Sequence, residues 1–549
     1  MDEKQNKEHE HFFGAAKVVA ALTLLSRVLG MVRDMTITWL GANRTTDAFW
    51  FAFFIPNLFR RLFGEGALSA AFVPVFTETT EGGSIEKAGR LLANVLTLLG
   101  VFLLGVLVLV QVGLLVWITF WPGASADEIE VRRLLVTLLA IMMPFMVTVC
   151  LLGLASAALN CRGHFAYPAF APIMLNISMI VAAVWLAPMM ADLPAKLRTI
   201  AWSVPLAGVI QLIGVLWLLK RSGFPVRPRL LPIEGGVRQM LRLMGPALLG
   251  VGLLQISSLF DLFMAWALTR TDASPTLSLL GFTLACPLEP GVLVRYNAAN
   301  RLYQLPMGVL AISLGVAVFP LLSRYAARND MPNFRESLNR ALRLALMEGL
   351  VTGTGLFILA EPIIKLIFQH GKFTPESASE AAFILRMYVL GMWAYCSYQM
   401  FARAFYSLKD MSTPLRVSSR LVVVYILLIS FLVWIPGLGA GAFGVATATT
   451  QTINVLVMAY LLRKRLGRFG GRKLAASVMR SALACAAMAG ALYLLQWQMA
   501  GMPNWQVVAV CVPAGAAVFV GAAYLMRAPE LGELLGAMKR RKPDQAEIK

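Results

Sequence analysis

Residues 91–120 read LLANVLTLLGVFLLGVLVLVQVGLLVWITF, which is 30 consecutive positions without a charged side chain. A helix needs about 20 mostly apolar residues to cross the hydrocarbon core of a bilayer, and this stretch exceeds that length. Its middle part, Val101–Val110, is continuously apolar, whereas a strand of a transmembrane β-barrel alternates apolar and polar side chains. The stretch therefore predicts a membrane-spanning α-helix.

The rest of the chain has the same character. Hydrophobic residues make up 58% of the 549 positions, charged residues make up 14%, and the mean hydropathy is +0.70. This composition excludes a water-soluble chain with a single core and predicts an all-α polytopic membrane protein with about fourteen transmembrane helices. The predicted spans are residues 16–40, 48–77, 91–120, 134–158, 168–189, 199–219, 240–268, 297–322, 338–360, 379–406, 415–435, 441–462, 475–497 and 505–526.

The formal net charge of +20 is concentrated in a few connections between the predicted spans. With an even number of spans, these connections and both termini lie on one side of the membrane, and the positive-inside rule assigns that side to the cytoplasm. The distribution indicates membrane topology and gives no support for a nucleic-acid partner. The basic segments are Lys220–Arg242, Arg463–Lys473 and Lys539–Lys542.

Two parts of the chain repeat at an interval of 246 residues. Residues 158–168 (ALNCRGHFAYP) resemble residues 404–414 (AFYSLKDMSTP), and Pro74 has a counterpart at Pro320. The interval equates spans one to six with spans seven to twelve, which predicts two six-helix lobes related by a parallel repeat and followed by a C-terminal helix pair. The predicted division is a cytoplasmic N-terminal tail (1–15), an N-lobe (16–222), a basic cytoplasmic linker (223–240), a C-lobe (241–465), the helix pair (466–527) and a cytoplasmic tail (528–549).

Charged side chains cluster inside or beside the first two predicted spans. Translocon scales put the cost of an Arg or Asp at a helix centre at about 2.5–3.5 kcal/mol, so such residues usually face a hydrated, protein-lined cavity. Arg27 and Asp34 are two helical turns apart and share a face. Pro56 and Gly64 interrupt the second span, and such breaks are tolerated where the freed backbone groups face protein or water. The members of this charged constellation are Arg27, Arg33, Asp34, Asp47, Arg60, Arg61 and Glu65.

Arginines outnumber acids in the constellation, and the eighth span adds Arg301 without a neighbouring acid. A surplus of guanidinium groups suits phosphate, because the planar fork of arginine binds phosphate oxygens bidentately and stays ionised. The constellation therefore predicts a substrate-binding cavity for a polyanion. Intramembrane salt bridges that only hold helices together are the structural alternative, which stays open for Arg60, Arg61 and Glu65.

Asp261 lies in the middle of the seventh predicted span. A lone carboxylate at that depth is a candidate site for sodium or a proton, and a hydrogen-bonded structural acid is an equal alternative. The six cysteines and four histidines show no metal-ligand spacing. No Walker A loop, zincin motif, nucleophile elbow or catalytic carboxylate pair occurs. The sequence therefore predicts a transporter rather than an enzyme, with no cofactor apart from a coupling monovalent cation.

Several motifs resemble those of the MurJ (MviN-type) lipid II flippases, a family of the multidrug/oligosaccharidyl-lipid/polysaccharide (MOP) exporter superfamily. They run through nearly the whole chain, and the first three are highly specific. The matching stretches are residues 26–34 (SRVLGMVRD), 46–49 (TDAF), 56–67 (PNLFRRLFGEGA), 71–74 (AFVP), 168–172 (PAFAP), 175–178 (LNIS), 245–246 (GP) and 368–374 (FQHGKFT).

The resemblance implies a fourteen-helix inner-membrane protein that exports the undecaprenyl-diphosphate-linked peptidoglycan precursor by alternating access. It implies lipid II, bilayer lipids and proteins of cell-wall synthesis and division as partners. Arg27, Arg33, Asp34, Arg60 and Glu65 match charged cavity positions of the family's first two helices, and Arg301 matches an arginine of the eighth. Another exporter of the superfamily, for polysaccharide lipids or drugs, is the nearest alternative. A membrane enzyme acting on a polyprenyl diphosphate is a more distant one.

The chain departs from the family pattern in three places. Residues 299–306 read ANRLYQLP where the family often has ADRL, which removes an acid next to Arg301. The connection 269–296 is longer than usual, and its segment 275–286 (PTLSLLGFTLAC) is too short to span, which predicts a surface-lying or re-entrant piece. Some relatives bind sodium between helices seven, eleven and twelve, where Asp261 would supply a ligand, but residues 415–435 contain no carboxylate.

Overall fold

A computed structural model describes residues 3–64, 67–82, 85–120, 126–224, 227–271, 276–279, 282–307 and 312–532. Nearly all of these residues are helical. The α-helices are α1 (Glu3–Thr38), α2 (Arg44–Phe59), α3 (Ala67–Gly82), α4 (Ile85–Phe120), α5 (Ala126–Met142), α6 (Pro144–Cys161), α7 (Ala166–Val181), α8 (Leu193–Arg221), α9 (Gly235–Ala267), α10 (Val292–Pro306), α11 (Ile312–Ala327), α12 (Met331–Phe368), α13 (Pro375–Val389), α14 (Met392–Ser407), α15 (Ser412–Leu432), α16 (Gly441–Leu466), α17 (Gly471–Gln498) and α18 (Asn504–Leu525).

The all-α polytopic class predicted from the sequence is confirmed. Within the described part of the chain, nine helical segments are long and apolar enough to cross a membrane. The number of fourteen spans stays a prediction. The nine segments are Ile85–Phe120, Ala126–Cys161, Ala166–Met189, Leu193–Arg221, Met331–Phe368, Ser412–Leu432, Gly441–Leu466, Gly471–Gln498 and Asn504–Leu525.

The second predicted span is interrupted, as the sequence indicates. Helix α2 begins with a capping box, in which Asn43 accepts from the backbone N–H of Thr46 and the Thr46 hydroxyl accepts from the backbone N–H of Asn43. After Phe59 the chain widens into a π-helical turn, Arg60–Gly64, before α3 begins. Residues 65–66 lie outside the described residues. The break places the two arginines of the π turn at the junction between two helices.

Helix positions agree with the 246-residue repeat. Helices α4 and α12 begin at Ile85 and Met331, and helices α7 and α15 begin at Ala166 and Ser412, so that each pair is 246 residues apart. The chain divides into two compact units, Met1–Val294 and Arg295–Lys549. Helix α9 belongs to the first unit, where it packs against α3. The division into lobes at residues 222 and 241 stays a prediction.

In the second unit, α12 lies against α13, α14, α17 and α18. A Cβ atom on Gly349 would lie 2.5 Å from the Trp393 Cα, so glycine allows α12 and α14 to approach at backbone distance. The C-terminal helices bury Met488, Leu492 and Phe519 in a cluster with Leu359 of α12. The final helix pair is therefore joined to the second unit by an apolar contact along α12.

The long connection after α9 forms a β-hairpin. Strands β1 (Thr276–Leu279) and β2 (Phe282–Ala285) pair antiparallel, with Thr276 opposite Ala285 and Leu279 opposite Phe282. The sequence predicts a surface-lying or re-entrant piece here and misses the strands. Two four-residue runs that alternate leucine or phenylalanine with smaller, mostly hydroxyl-bearing residues are typical of strands, and that short period was the available signal.

Candidate functional site

Two adjacent residues of α1, Arg33 and Asp34, form a buried ion pair. The Arg33 Nη2 and Nε atoms lie 2.6 and 2.9 Å from the Asp34 Oδ1 atom. The Arg33 Nη1 atom donates to Asn176 Oδ1 of α7 at 3.0 Å, and the guanidinium carbon lies 5.0 Å from the Phe53 ring centre. Only 8% of Arg33 and 1% of Asp34 are exposed. The guanidinium is therefore held in a fixed orientation by three different elements.

Asn176 connects this pair to the backbone of α1. Its Nδ2 group donates to the Ser26 carbonyl at 3.0 Å, while its Oδ1 atom accepts from Arg33. The Asn176 side chain thus bridges Ser26 and Arg33, which lie about two turns apart on α1. No role for Asn176 was predicted from the sequence, although a polar residue in an otherwise apolar span was the signal that could have identified it.

Arg27 differs from Arg33 in its surroundings. Its side chain is exposed, and it makes no hydrogen bond or ion pair with any residue that the structure describes. Because Asn176 of α7 donates a hydrogen bond to the Ser26 carbonyl, the part of α1 that carries Arg27 is held against α7. Arg27 therefore presents an accessible guanidinium from the part of α1 that is hydrogen-bonded to α7, within the first predicted span.

The π turn carries Arg60 and Arg61. The Arg60 Nε atom donates to Asn57 Oδ1 at 3.3 Å, and the Arg61 Nη1 atom donates to Gln255 Oε1 of α9 at 3.4 Å. Arg60 is half-buried and Arg61 is exposed. Glu65, their expected acidic neighbour, lies outside the described residues. Both arginines are thus oriented by amide side chains from nearby helical segments.

Asp47 has surroundings unlike those of the arginines. Its carboxylate is completely buried and accepts three backbone N–H bonds: from Gly291 at 2.7 Å, from Leu293 at 2.9 Å and from Val294 at 3.2 Å. Gly291 has a positive φ of 88°, and a Cβ there would lie 2.4 Å from the Ala42 carbonyl carbon. Asp47 therefore binds the free N–H groups at the start of α10, which is a structural role as an N-terminal cap.

Arg44 is a further buried cation, for which no role was predicted from the sequence. Its guanidinium carbon lies 3.6 Å from the ring centre of Trp266, near the end of α9, and its Nη1 atom is buried without a hydrogen-bond partner. Burial lowers the pKa of Arg44 to about 10, although nearby Asp47 acts to raise that pKa. The stacking of Arg44 on Trp266 links the start of α2 to α9. A charged residue between two predicted spans was the sequence signal that could have drawn attention to it.

The remaining predicted site residues lie elsewhere. Asp261 is buried in α9, in the first unit. Arg301 is half-buried on α10, in the second unit. The structure thus joins Arg33 with Asp34 and places Arg60 next to Arg61, while Asp47 contacts the start of α10.

The described side chains offer no evident metal site. Within the part of the chain that the structure describes, no group of three or more His, Cys, Asp or Glu residues could hold a metal ion. The six cysteines are all free. The described candidate site contains guanidinium groups, which bind phosphate oxygens by charge-assisted hydrogen bonds.

Comparison with known proteins identifies close similarity in sequence. A family model described as lipid II flippase MurJ matches residues 37–512. A probable lipid II flippase MurJ of Vibrio cholerae serotype O1 is 34% identical over 499 residues, which cover 89% of each chain. A lipid II flippase MurJ of Burkholderia cenocepacia is 31% identical over 464 residues, which cover 83% of this chain and 84% of the relative.

Solved structures show the same fold. A lipid II flippase MurJ in an inward closed conformation superposes with a TM-score of 0.73 at 22% identity and covers 92% of this chain and 98% of its own. A multidrug resistance MATE transporter of the MOP superfamily, in an inward-facing conformation, superposes with a TM-score of 0.64 at 13% identity, covering 83% of this chain and 99% of its own. At these identities the superpositions are evidence of fold alone.

Proposed function

Because the chain belongs to the lipid II flippase MurJ family, we propose that it carries lipid II from the cytoplasmic to the periplasmic leaflet by alternating access. It is a multi-pass membrane transporter and not an enzyme, and lipid II is its substrate. The observation that carries the mechanism is the accessible guanidinium of Arg27, which lies on α1 about two turns from the buried Arg33–Asp34 pair. A diphosphate needs such donors when it leaves water.

The arginines have different roles in binding the diphosphate. Arg27 is accessible and takes the first contact with the diphosphate, since its fork can pair with two phosphate oxygens at once. Arg33 is already bound to Asp34 and Asn176, so it shapes the wall and contributes a fixed positive field. Arg60 and Arg61 are further candidate phosphate ligands on the first unit, and Arg301 is one on the second. Asp34 limits the local net charge, which lowers the free energy of the empty site.

The main alternative function is export of a different compound by the same fold. The MATE superposition supports that alternative at the level of fold. A transporter for cationic drugs would be expected to line its cavity with acids and aromatics, whereas four arginines and three acids make up the constellation of this chain. The sequence match to lipid II flippases and this charge balance together favour lipid II over a cation.

Export is expected to depend on the membrane potential. With the interior negative, each net negative charge moved outward gains about 2.3 kcal/mol per 100 mV, and the diphosphate carries such charge. Purified protein in proteoliposomes that contain labelled lipid II should therefore export it faster at one sign of an imposed potential than at the other. Identical rates at both signs would contradict this electrophoretic account, and no export at either sign would contradict the proposed function.

The same proteoliposome assay also tests whether export is coupled to a cation that binds at Asp261. Asp261 is buried in α9, where a carboxylate is a candidate ligand for sodium or a proton. If a sodium gradient drives export in the wild type and no longer does so in Asp261→Asn, the coupling ion binds there. If Asp261→Asn responds to sodium as the wild type does, Asp261 is a structural acid.

We propose that the protein lies in the bacterial inner membrane with both termini in the cytoplasm. The basic segments around Arg227 and Arg468 support this orientation through the positive-inside rule. Single cysteines at positions 227 and 468 should react with a membrane-impermeant maleimide only after lysis, and cysteines at positions 127 and 437 should react in intact spheroplasts. Labelling of position 468 from outside would overturn the orientation.

A further inference from the structure

Helix α14 has two chemically different faces. Ten of its sixteen residues are buried, and these are alanine, methionine, phenylalanine, serine or cysteine. All the residues that are at least partly exposed end in a polar group: Trp393, Tyr395, Tyr398, Gln399, Arg403 and Tyr406. Four of these, at positions 395, 399, 403 and 406, follow the helical spacing of about one turn and form a polar stripe on one side of the helix.

Nearly all of helix α14 lies within the predicted span 379–406, and a polar stripe there is informative because lipid selects apolar side chains. Helix α15, the next along the chain, shows the contrast: its exposed residues include Val423, Leu427 and Phe431, as expected for contact with acyl chains. The accessible side of α14 has the opposite composition. It is therefore suited to a hydrated path inside the protein rather than to the lipid phase.

Arg403 is the charged member of the stripe, and its position depends on Gly315 of α11. The Arg403 Nε atom would lie 2.1 Å from a Cβ atom at position 315, so the arginine occupies space that only glycine leaves open. That Nε atom is buried and has no hydrogen-bond partner. No hydrogen bond or ion pair within the described residues involves this side chain, although the Tyr406 phenol lies within electrostatic range. Among the described residues, therefore, no acceptor pairs with the Arg403 guanidinium, and the partly exposed side chain can offer its Nη groups to a ligand.

The other members of the stripe are suited to uncharged polar groups. The Tyr395 phenol lies close enough to interact with the side chain of Gln399, one turn further along α14. Amide and phenol groups both donate and accept hydrogen bonds, which is the capacity needed to bind hydroxyl and acetamido groups of a sugar. The stripe thus carries sugar-binding chemistry at positions 395 and 399 and phosphate-binding chemistry at position 403.

We propose that the polar stripe of α14 is a binding subsite for the headgroup of the transported lipid, with Arg403 binding a phosphate and Tyr395 and Gln399 binding sugar. The subsite lies wholly on the second unit and adds an arginine that the charged constellation of the first two spans does not contain. This assignment rests on the proposed function. The phosphate could equally come from an anionic phospholipid, and the binding experiment distinguishes the two sources.

The test measures binding of labelled lipid II, and separately of labelled phosphatidylglycerol, to the full chain in phosphatidylcholine nanodiscs. Arg403→Ala should weaken lipid II binding by about 10- to 100-fold, the factor that corresponds to losing one charge-assisted hydrogen-bonded contact. Arg403→Lys should weaken it less, because lysine keeps the charge and loses the fork. Arg420→Ala is the matched control, since Arg420 is an exposed arginine on α15, and its affinity should equal that of the wild type.

Gly315→Ala is a second test that leaves the guanidinium in the protein. The added methyl group meets the flexible end of Arg403 rather than backbone, so the fold should keep its melting temperature while the arginine is displaced and lipid II affinity falls. If Arg403→Ala fails to fold, the lipid II affinity of Gly315→Ala alone tests the subsite. Unchanged lipid II affinity in both variants would overturn the subsite, as would a loss confined to phosphatidylglycerol. Wild-type protein that binds no lipid II would instead contradict the proposed function.

Discussion

Replacing Arg27 by alanine is expected to abolish growth of a bacterial strain that depends on this flippase, while the protein still inserts and keeps its thermal stability. Arg27 is exposed and makes no hydrogen bond or ion pair with a described residue, so its removal breaks no contact of the fold. The lost charge-assisted contact with the diphosphate costs about 1.5–3 kcal/mol. The positive potential that attracts the negatively charged substrate also becomes weaker. Complementation of the depleted strain and the melting temperature of the purified variant are the two measurements.

Three further variants sharpen this test. Arg33→Ala should also abolish growth, but it should lower the melting temperature as well, because it leaves the buried carboxylate of Asp34 without its cation. Arg198→Ala removes an exposed arginine from α8, in the same unit, and should leave both growth and stability unchanged. Arg27→Lys should restore growth in part, since lysine supplies charge without a planar fork. Normal growth of Arg27→Ala and Arg33→Ala would overturn the polyanion cavity.

Arg301→Ala extends the same prediction to the second unit. Arg301 lies on α10, in the eighth predicted span, and the sequence shows no acid beside it. We expect loss of growth here too, with the protein still present in the membrane. If only the first-unit arginines prove essential, the phosphate is bound by the first unit alone, and the role given to Arg301 is wrong.

The fold class could be predicted from the sequence because hydropathy acts locally. A run such as residues 91–120 has no stable alternative to a helix in a bilayer, since every backbone N–H and C=O must be satisfied within the segment. The interruption near Gly64 followed from the same reasoning. The two strands of the hairpin were missed because alternation over only four residues is too short a run to distinguish a strand from another short apolar segment.

The partners of the charged residues could not be predicted, because they come from distant parts of the chain. Adjacent residues on a helix point about 100° apart, so the direct contact between Arg33 and Asp34 depends on the long arginine side chain folding back. Asn176, the third member of that network, is 143 residues away. Sequence reasoning can thus find charges at membrane depth, but the free side chains and the paired ones are distinguished only by packing.

Asp47 is the clearest case of this limit. From the sequence it is one more acid among cavity arginines, and the family motif around it suggests nothing else. In the structure its carboxylate is buried and surrounded by three backbone N–H donors of residues 291–294, which lie 244 to 247 positions further along the chain. A helix start carries a partial positive charge from its free N–H groups, and a carboxylate stabilises it electrostatically as well as by hydrogen bonds.

Asp47→Ala is therefore expected to destabilise the protein itself, with a melting temperature in detergent far below that of the wild type and a reduced yield of monodisperse protein. The substitution leaves three buried N–H groups without an acceptor, and each unsatisfied group costs about 1–3 kcal/mol. Asp47→Asn should be intermediate, because its amide retains one acceptor oxygen but directs an NH2 group at N–H donors. Asp192→Ala is the matched control: Asp192 is an exposed cap of α8 that accepts one bond, from Ala195, and its loss should cost only about 1 kcal/mol.

The outcome separates the two roles that Asp47 could have. If its carboxylate acts on the substrate, Asp47→Asn should melt like the wild type and fail to export lipid II. If it caps the start of α10, Asp47→Ala and Asp47→Asn should lose stability in that order, and export should fall only as far as folded protein is lost. The burial of the carboxylate and its three backbone donors favour the second result, because the carboxylate is completely buried and most of its acceptor positions are already occupied. A wild-type melting temperature for Asp47→Ala would show that the cap contributes nothing and would return Asp47 to the cavity.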